Sequence, residues 1–252
     1  MAGRDEIIDF LDDLLDSPAF DDYGPNGLQV PGAEEVRLVV SGVSAHRELF
    51  EAARDAGAQM VLCHHGIFWR GAPLQVTPQS KERLKVLFDS DISLAAYHLP
   101  LDAHPEVGNN ALICRALGFE RQRSFDEHGG RDIGSIARND TGLPAAKLFA
   151  RCAELFGQEP LVFDAGADAV HTIGVVSGGG SRAISEAAAL GADAFITGEP
   201  SEFVMADARE LGVHYIAGGH WATETFGVRR LGELLAERFG VEHRFIAVPN
   251  PI

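Results

Sequence analysis

Cationic side chains are scarce in this 252-residue chain. It has 21 Lys and Arg against 37 Asp and Glu, for a formal net charge of −16. Such a surface repels nucleic-acid backbones and anionic membranes, so neither is expected as a partner. A polyanionic substrate would need a local positive charge, such as a metal ion, to draw it in. Cysteine is almost missing too. Cys63, Cys114 and Cys152 are an odd number and form no Cys-x-x-Cys, which excludes a disulfide framework and fits a reducing compartment. No apolar run approaches the roughly 20 residues of a membrane span. The N-terminal stretch Asp5–Leu15 has apolar residues at helical spacing and acids in its first turns, so it reads as an amphipathic helix and not a signal peptide. A soluble, cytoplasmic protein is expected. Neither G-x-x-x-x-G-K-[ST] nor G-x-G-x-x-G occurs, which removes the usual support for an ATPase or a dinucleotide enzyme.

What is present is ordinary globular material, 46% hydrophobic and 23% charged, enough for one large or two small domains. After the first helix comes a Pro- and Gly-punctuated segment, Tyr23–Gly32. Arg37–Val43 then reads as a buried strand, Arg47–Ala56 as a helix stopped by Gly57, and Met60–Cys63 as a second strand. A helix over Ser80–Phe88 and a strand over Ile92–Tyr97 follow. Strand–helix alternation of this kind predicts an α/β fold with mainly parallel sheets. The polar stretch Gly118–Arg138, with Gly129-Gly130, suggests a boundary, giving one subdomain over 1–126 and another over 127–252. A helix near Pro144–Phe156 opens the second half.

There the earlier pattern returns. Val175-Val176-Ser177-Gly178 echoes Val39-Val40-Ser41-Gly42, and Gly191–Thr197 echoes Gly57–Cys63. Ile216–His220 echoes Leu94–His98, and Glu224 falls opposite Asp102. On that register Gly198 and Glu199 stand where His64 and His65 stand in the first half. Any two βαβ units share a strand–Gly–helix–Gly–strand outline. A shared His-x-x-x-acid is not part of that outline, so an internal duplication into two similar α/β subdomains is expected.

The chemistry sits at the predicted strand ends. His98 precedes Asp102 by four residues, His220 precedes Glu224 by four, and His64-His65 end another apolar run. Ligands of open α/β sheets gather at the carboxyl ends of strands, which would bring these residues and Glu199 to one rim. Imidazole nitrogen with carboxylate oxygen is the donor mix for zinc, manganese, iron, cobalt or nickel. Adjacent histidines suit two ions better than one, and Glu224 or Asp102 could bridge such a pair. His46, His104, His128, His171, His214 and His243 show no ligand pattern. Val176–Ser181 is either a backbone cradle for a phosphate or a tight turn with Ser181 as helix N-cap. Phe68 and Trp69 either wall a pocket or simply pack.

Together these residues resemble the Nif-three-like dinuclear-metal family, often labelled GTP cyclohydrolase I type 2. The matching stretches are Asn26–Val30, His64–Trp69, His98–Pro105 with Gly108–Asn110, Ser177–Gly180, Gly191–Asp193 with Ile196–Glu199, and Gly219–Glu224. They span nearly the whole chain in order. The resemblance implies two similar α/β subdomains with the metal site between them, and two divalent ions per chain held by His64, His65, Asp102, His220 and Glu224. It gives His98 and Glu199 catalytic supporting roles, orienting ligands or moving protons. It further implies a toroidal homohexamer and a short form without the domain that some members insert between the halves. The function implied is a hydrolase for a small molecule, a nucleotide such as GTP, whose ring a metal-bound hydroxide would open. The alternative is a metal-containing toroidal binding or regulatory scaffold with no hydrolytic activity.

Overall fold

The apolar runs of the first half become neighbouring strands. Leu38–Ser44 pairs in parallel with Met60–His65, which pairs in parallel with Ser93–Ala96. Their inward and outward residues are almost all buried, as expected for parallel strands covered on both faces. The computed structural model describes every residue, Met1–Ile252. Its contacts divide the chain into two units: Met1–Leu101 with Gly227–Val248, and Asp102–Phe226 with Pro249–Ile252.

The first unit carries a five-stranded sheet in the order Glu242–Phe245, Leu38–Ser44, Met60–His65, Ser93–Ala96, Gly27–Val30. All its pairings are parallel except the last, where Gly27–Val30 runs antiparallel to Ser93–Ala96. A small antiparallel pair, Ala2–Gly3 with Glu35–Val36, stands apart. Helix Arg47–Asp55 is capped by His46, whose Nδ1 accepts the Leu49 N–H, and Pro78–Asp89 by Thr77, whose Oγ1 accepts the Ser80 N–H. Leu49, Phe50 and Ala53 from the first helix and Leu87 from the second fill the core against Val40, Val61 and Leu94.

The second unit carries a six-stranded sheet in the order Glu120–His128, Arg131–Pro144, Ala169–Val176, Ala194–Thr197, His214–Ala217, Leu161–Phe163. Its three middle strands are parallel and the outer pairings antiparallel, so this sheet is mixed. Ile113, Leu117, Leu148, Cys152, Ile173, Ile196 and Ile216 centre its core. All three cysteines are buried thiols, and burial pushes Cys114 and Cys152 up to about 12.

Two sequence-based expectations change here. Gly118–Arg138 is not a boundary: most of it forms the antiparallel hairpin Glu120–His128 with Arg131–Pro144, inside the second unit's sheet. Nor do the units follow a cut after residue 126. The first ends at Leu101 and takes back Gly227–Val248, because Glu242–Phe245 completes its sheet beside Leu38–Ser44. Asp102 therefore belongs to the second unit.

Both units contain one four-strand order: three parallel strands, then an antiparallel edge strand that precedes them in the chain. The motif echoes fit this order unevenly. Met60 pairs with Val39 and Ala194 with Ile173, so the ladder matches Val39 to Ile173, two residues from the echoed Val175. Cys63 pairs with Ala96 and Thr197 with Ala217, which moves the third strand by one residue. Only the middle strand keeps the echoed register.

Candidate metal centre

In the first unit, His64 and His65 are the last residues of strand Met60–His65, and His98 stands two residues past Ser93–Ala96. Parallel neighbours deliver all three to the same sheet end. Each contributes a ring nitrogen lying within 4.8 Å of those of the other two. The ring centroids of His64 and His65 are 4.7 Å apart, and His98 lies 5.0 Å from the first and 5.5 Å from the second.

Each imidazole is held by its Nδ1. That of His64 meets the Tyr97 carbonyl at 2.9 Å, that of His65 the Ser44 hydroxyl at 3.1 Å, and that of His98 the Asp22 carboxylate at 2.7 Å. A carbonyl only accepts, so His64 Nδ1 carries the proton and its Nε2 the lone pair. Tethering of one ring nitrogen is how proteins orient imidazole towards a metal. The donor set thus fits a divalent ion of the nitrogen-loving kind.

Asp22 is a site residue that the sequence did not single out. It is buried, and burial pushes its carboxyl up. Hydrogen bonding and charge from His98, with Asn26 and the Leu99 amide, pull it below the usual value. Its neighbourhood is tightly stitched. The Arg70 N–H donates to the Tyr23 carbonyl, and the Gln29 side chain accepts the Ile67 N–H while donating to the Pro25 carbonyl. Gly66 has no side chain because the Gln29 amide occupies the space where one would go. Trp69 donates to the Gly66 carbonyl and stands edge-on to His98 at 5.2 Å. With Phe68, Tyr23 and Asp22 it lines a cavity of about 600 Å³, so both aromatic residues border a pocket as well as packing.

The second unit gathers a different set. His220 opens the short helix His220–Thr223, and Glu224 follows it at i+4, placing both on one side of the turn. His220 Nε2 lies 3.2 Å from Glu224 Oε1, and its Nδ1 bonds to Glu199. Burial pushes the His220 imidazole down, but hydrogen bonds and charge from Glu224 and Glu199 outweigh that and raise it to about 9. An ion arriving at neutral pH must therefore displace a proton from His220.

Backbone approach explains the glycines nearby. Gly178 has φ +63, and a side chain there would overlap Glu224 Oε1. Its N–H donates to Thr223 Oγ1 at 3.0 Å, and its carbonyl accepts the N–H groups of Gly198 and Glu199. The Ser177–Ser181 turn thus ties together Thr223, next to Glu224, and the backbone of Gly198 and Glu199. Ser181 does not cap a helix with its side chain: its hydroxyl donates to the Glu199 carbonyl and meets the Tyr215 hydroxyl. Asp102 is buried beside this turn, where Oδ1 accepts from Asn109 Nδ2 at 2.8 Å and from Ser177 Oγ at 2.9 Å.

The sequence-predicted residues thus fall into two groups, His64, His65 and His98 in one unit and Asp102, Glu199, His220 and Glu224 in the other. The remaining histidines have local partners. His243 meets Ser41, His214 the Ala167 carbonyl, His171 the Asn139 carbonyl and His128 Asp126, while His104 accepts the N–H groups of Glu106 and Val107.

No helix of the chain is long and apolar enough to cross a membrane. The family described as Duf34/NIF3 (NGG1p interacting factor 3) matches residues 2–251. A Pseudomonas aeruginosa protein named "GTP cyclohydrolase 1 type 2 homolog" is 44% identical over 245 residues, covering 97% of each chain. A solved structure described as "protein ybgI, unknown function" superposes with TM-score 0.94 at 39% identity, over all of both chains. TTHA1606 from Thermus thermophilus does so with TM-score 0.87 at 36% identity, also over all of both. A match over nearly every residue, with a relative above two-fifths identity, settles the lineage: the chain belongs to the Duf34/NIF3 family.

Proposed function

We propose that this protein is a metal-dependent hydrolase acting on a nucleotide-like small molecule, with His64, His65, Asp102, His220 and Glu224 as ligands of two divalent ions. The observation that most supports it is the His64–His65–His98 cluster, three imidazoles converging within 4.8 Å with each Nδ1 already engaged. When bound, divalent ions polarise a substrate and lower the pKa of coordinated water. The chain supplies the rest. Glu199 orients His220, and Asn109 with Ser177 orients Asp102. His98 takes or gives a proton at Nε2. Trp69 stands edge-on to His98 and, with Phe68, borders the adjoining cavity, which offers aromatic surface to a planar ring. GTP is the first substrate to test, since relatives are named as homologues of GTP cyclohydrolase 1 type 2.

Protein loaded with zinc, manganese or iron should release formate from GTP, one water opening the ring between its imidazole nitrogens to a formamide and a second hydrolysing that formamide. Absence of release with every metal, while the ions stay bound, would remove GTP as the substrate, and no turnover of other nucleotide, phosphate or amide substrates either would leave a metal-containing scaffold. The ligand assignment is checked separately: Glu224→Ala should lower bound metal below two per chain, and unchanged stoichiometry would remove Glu224 from the set.

A further inference from the structure

We propose that Asp22 is a positioning residue that sets the tautomer of His98, and so decides which of its nitrogens can serve the site. Donors surround the Asp22 carboxylate. Asp22 Oδ1 accepts from the Tyr23 N–H at 2.6 Å and meets His98 Nδ1 at 2.7 Å. Its Oδ2 accepts from the Leu99 N–H at 2.9 Å and from Asn26 Nδ2 at 3.0 Å. Both backbone groups are donors in every state of the protein. The Asn26 amide is oriented as well, because its Oδ1 accepts the His98 N–H at 2.8 Å, which turns Nδ2 towards Asp22. A carboxylate ringed by donors has no proton of its own to give. The fourth partner, His98 Nδ1, must then be the one that carries the hydrogen. Nε2 is left with the lone pair.

Asp22 and Asn26 therefore hold His98 at three points, its backbone N–H, its ring Nδ1 and the N–H of the residue that follows. The ring cannot turn over without breaking the Asp22 bond and setting a bare carbon edge against a buried carboxylate. Trp69, edge-on at 5.2 Å, closes another side. The use made of Nε2, as a base or a metal-facing nitrogen, rests on the hydrolase reading above. The tautomer does not.

The same donors dictate what Asp22→Asn must do. Two positions around residue 22 are fixed backbone donors, one against each oxygen, so an amide NH₂ meets an N–H wherever it is placed. In place of Oδ2 the NH₂ would face two donors, the Leu99 N–H and Asn26 Nδ2. In place of Oδ1 it faces one fixed donor and a ring nitrogen that can release its hydrogen. The NH₂ therefore settles on the His98 side, Nδ1 becomes the acceptor and the proton moves to Nε2. The full chain, metal-free, ¹⁵N-labelled and held at alkaline pH so that imidazoles are neutral, is examined by long-range ¹H–¹⁵N spectroscopy. His98 is assigned by the signals lost in His98→Gln. The wild type is expected to show His98 with protonated Nδ1 and bare Nε2. Asp22→Asn is expected to convert it wholly or partly to the Nε2–H form, leaving the His171 and His243 signals in place. A wild type already in the Nε2–H form, or a folded Asp22→Asn variant with an unchanged His98, would overturn the proposal. Should the variant fail to fold, the wild-type spectrum alone decides. Since no turnover is read, failure of the GTP assay leaves this result standing, and the two readings can fail separately.

Discussion

Gly178 and Gly191 both adopt left-handed backbone, with φ +63 and +85, but substitution affects them differently. A side chain at Gly191 meets nothing within 4 Å, whereas one at Gly178 collides with Glu224 Oε1 and comes within 3.1 Å of His220 Nε2. Gly191→Ala should therefore lose only the stability that backbone strain costs, about 1–2 kcal/mol, and when loaded with a divalent metal should retain it like the parent. Gly178→Ala should lose more, and when loaded with a divalent metal should retain less of it, because Glu224 and His220 must move apart. Thermal unfolding and metal content, measured on both variants, separate strain from steric displacement. Equal metal retention would show that Gly178 serves the turn and not the pair. At this scale the sequence revealed the ligand-type residues, since His-x-x-x-acid and His-His are local patterns. It concealed Asp22, which stands beside the exposed Asp21 in a turn and differs from it only in what lies 76 positions later.

Among the elements, strands such as Leu38–Ser44 and Met60–His65 were legible because burial on both faces demands continuous apolar, β-branched runs. The hairpin Glu120–His128 with Arg131–Pro144 was not. Its first strand is mostly polar, and along it only Phe125 is buried. An edge strand with one anchoring residue carries no readable alternation and passes for a loop. That anchor is well seated: Gly134 has no side chain because the Phe125 ring fills the space, and Gly174 lies near the same ring. Phe125→Ala should destabilise the second unit by about 3–5 kcal/mol. Arg123→Ala, at an exposed position two residues earlier in the same strand, should stay within about 0.5 kcal/mol of the parent. Denaturant unfolding distinguishes them, and equal midpoints would show that Phe125 does not anchor the strand.

At the scale of the whole molecule, the two units were foreseen but their membership was not. A linear reading cuts a chain once, whereas Glu242–Phe245 pairs with Leu38–Ser44 from the far end of the sequence. Ser41 meets His243 at 2.7 Å across the same pairing. A fragment of residues 1–126 would leave Leu38–Ser44 as an uncovered sheet edge and would carry a piece of the second unit without its core. It should aggregate or unfold without cooperativity, as judged by light scattering and circular dichroism. A soluble fragment with a sharp transition would show that the returning segment is dispensable.

That returning segment also orders events during synthesis. Apart from its last four residues, the second unit is one uninterrupted stretch, Asp102–Phe226, complete before Gly227–Val248 is translated. Nascent domains commonly close from the N-terminus onwards. Here the opening hundred residues must wait, with one sheet edge open, while the unit made after them has all but four residues of what it needs to fold.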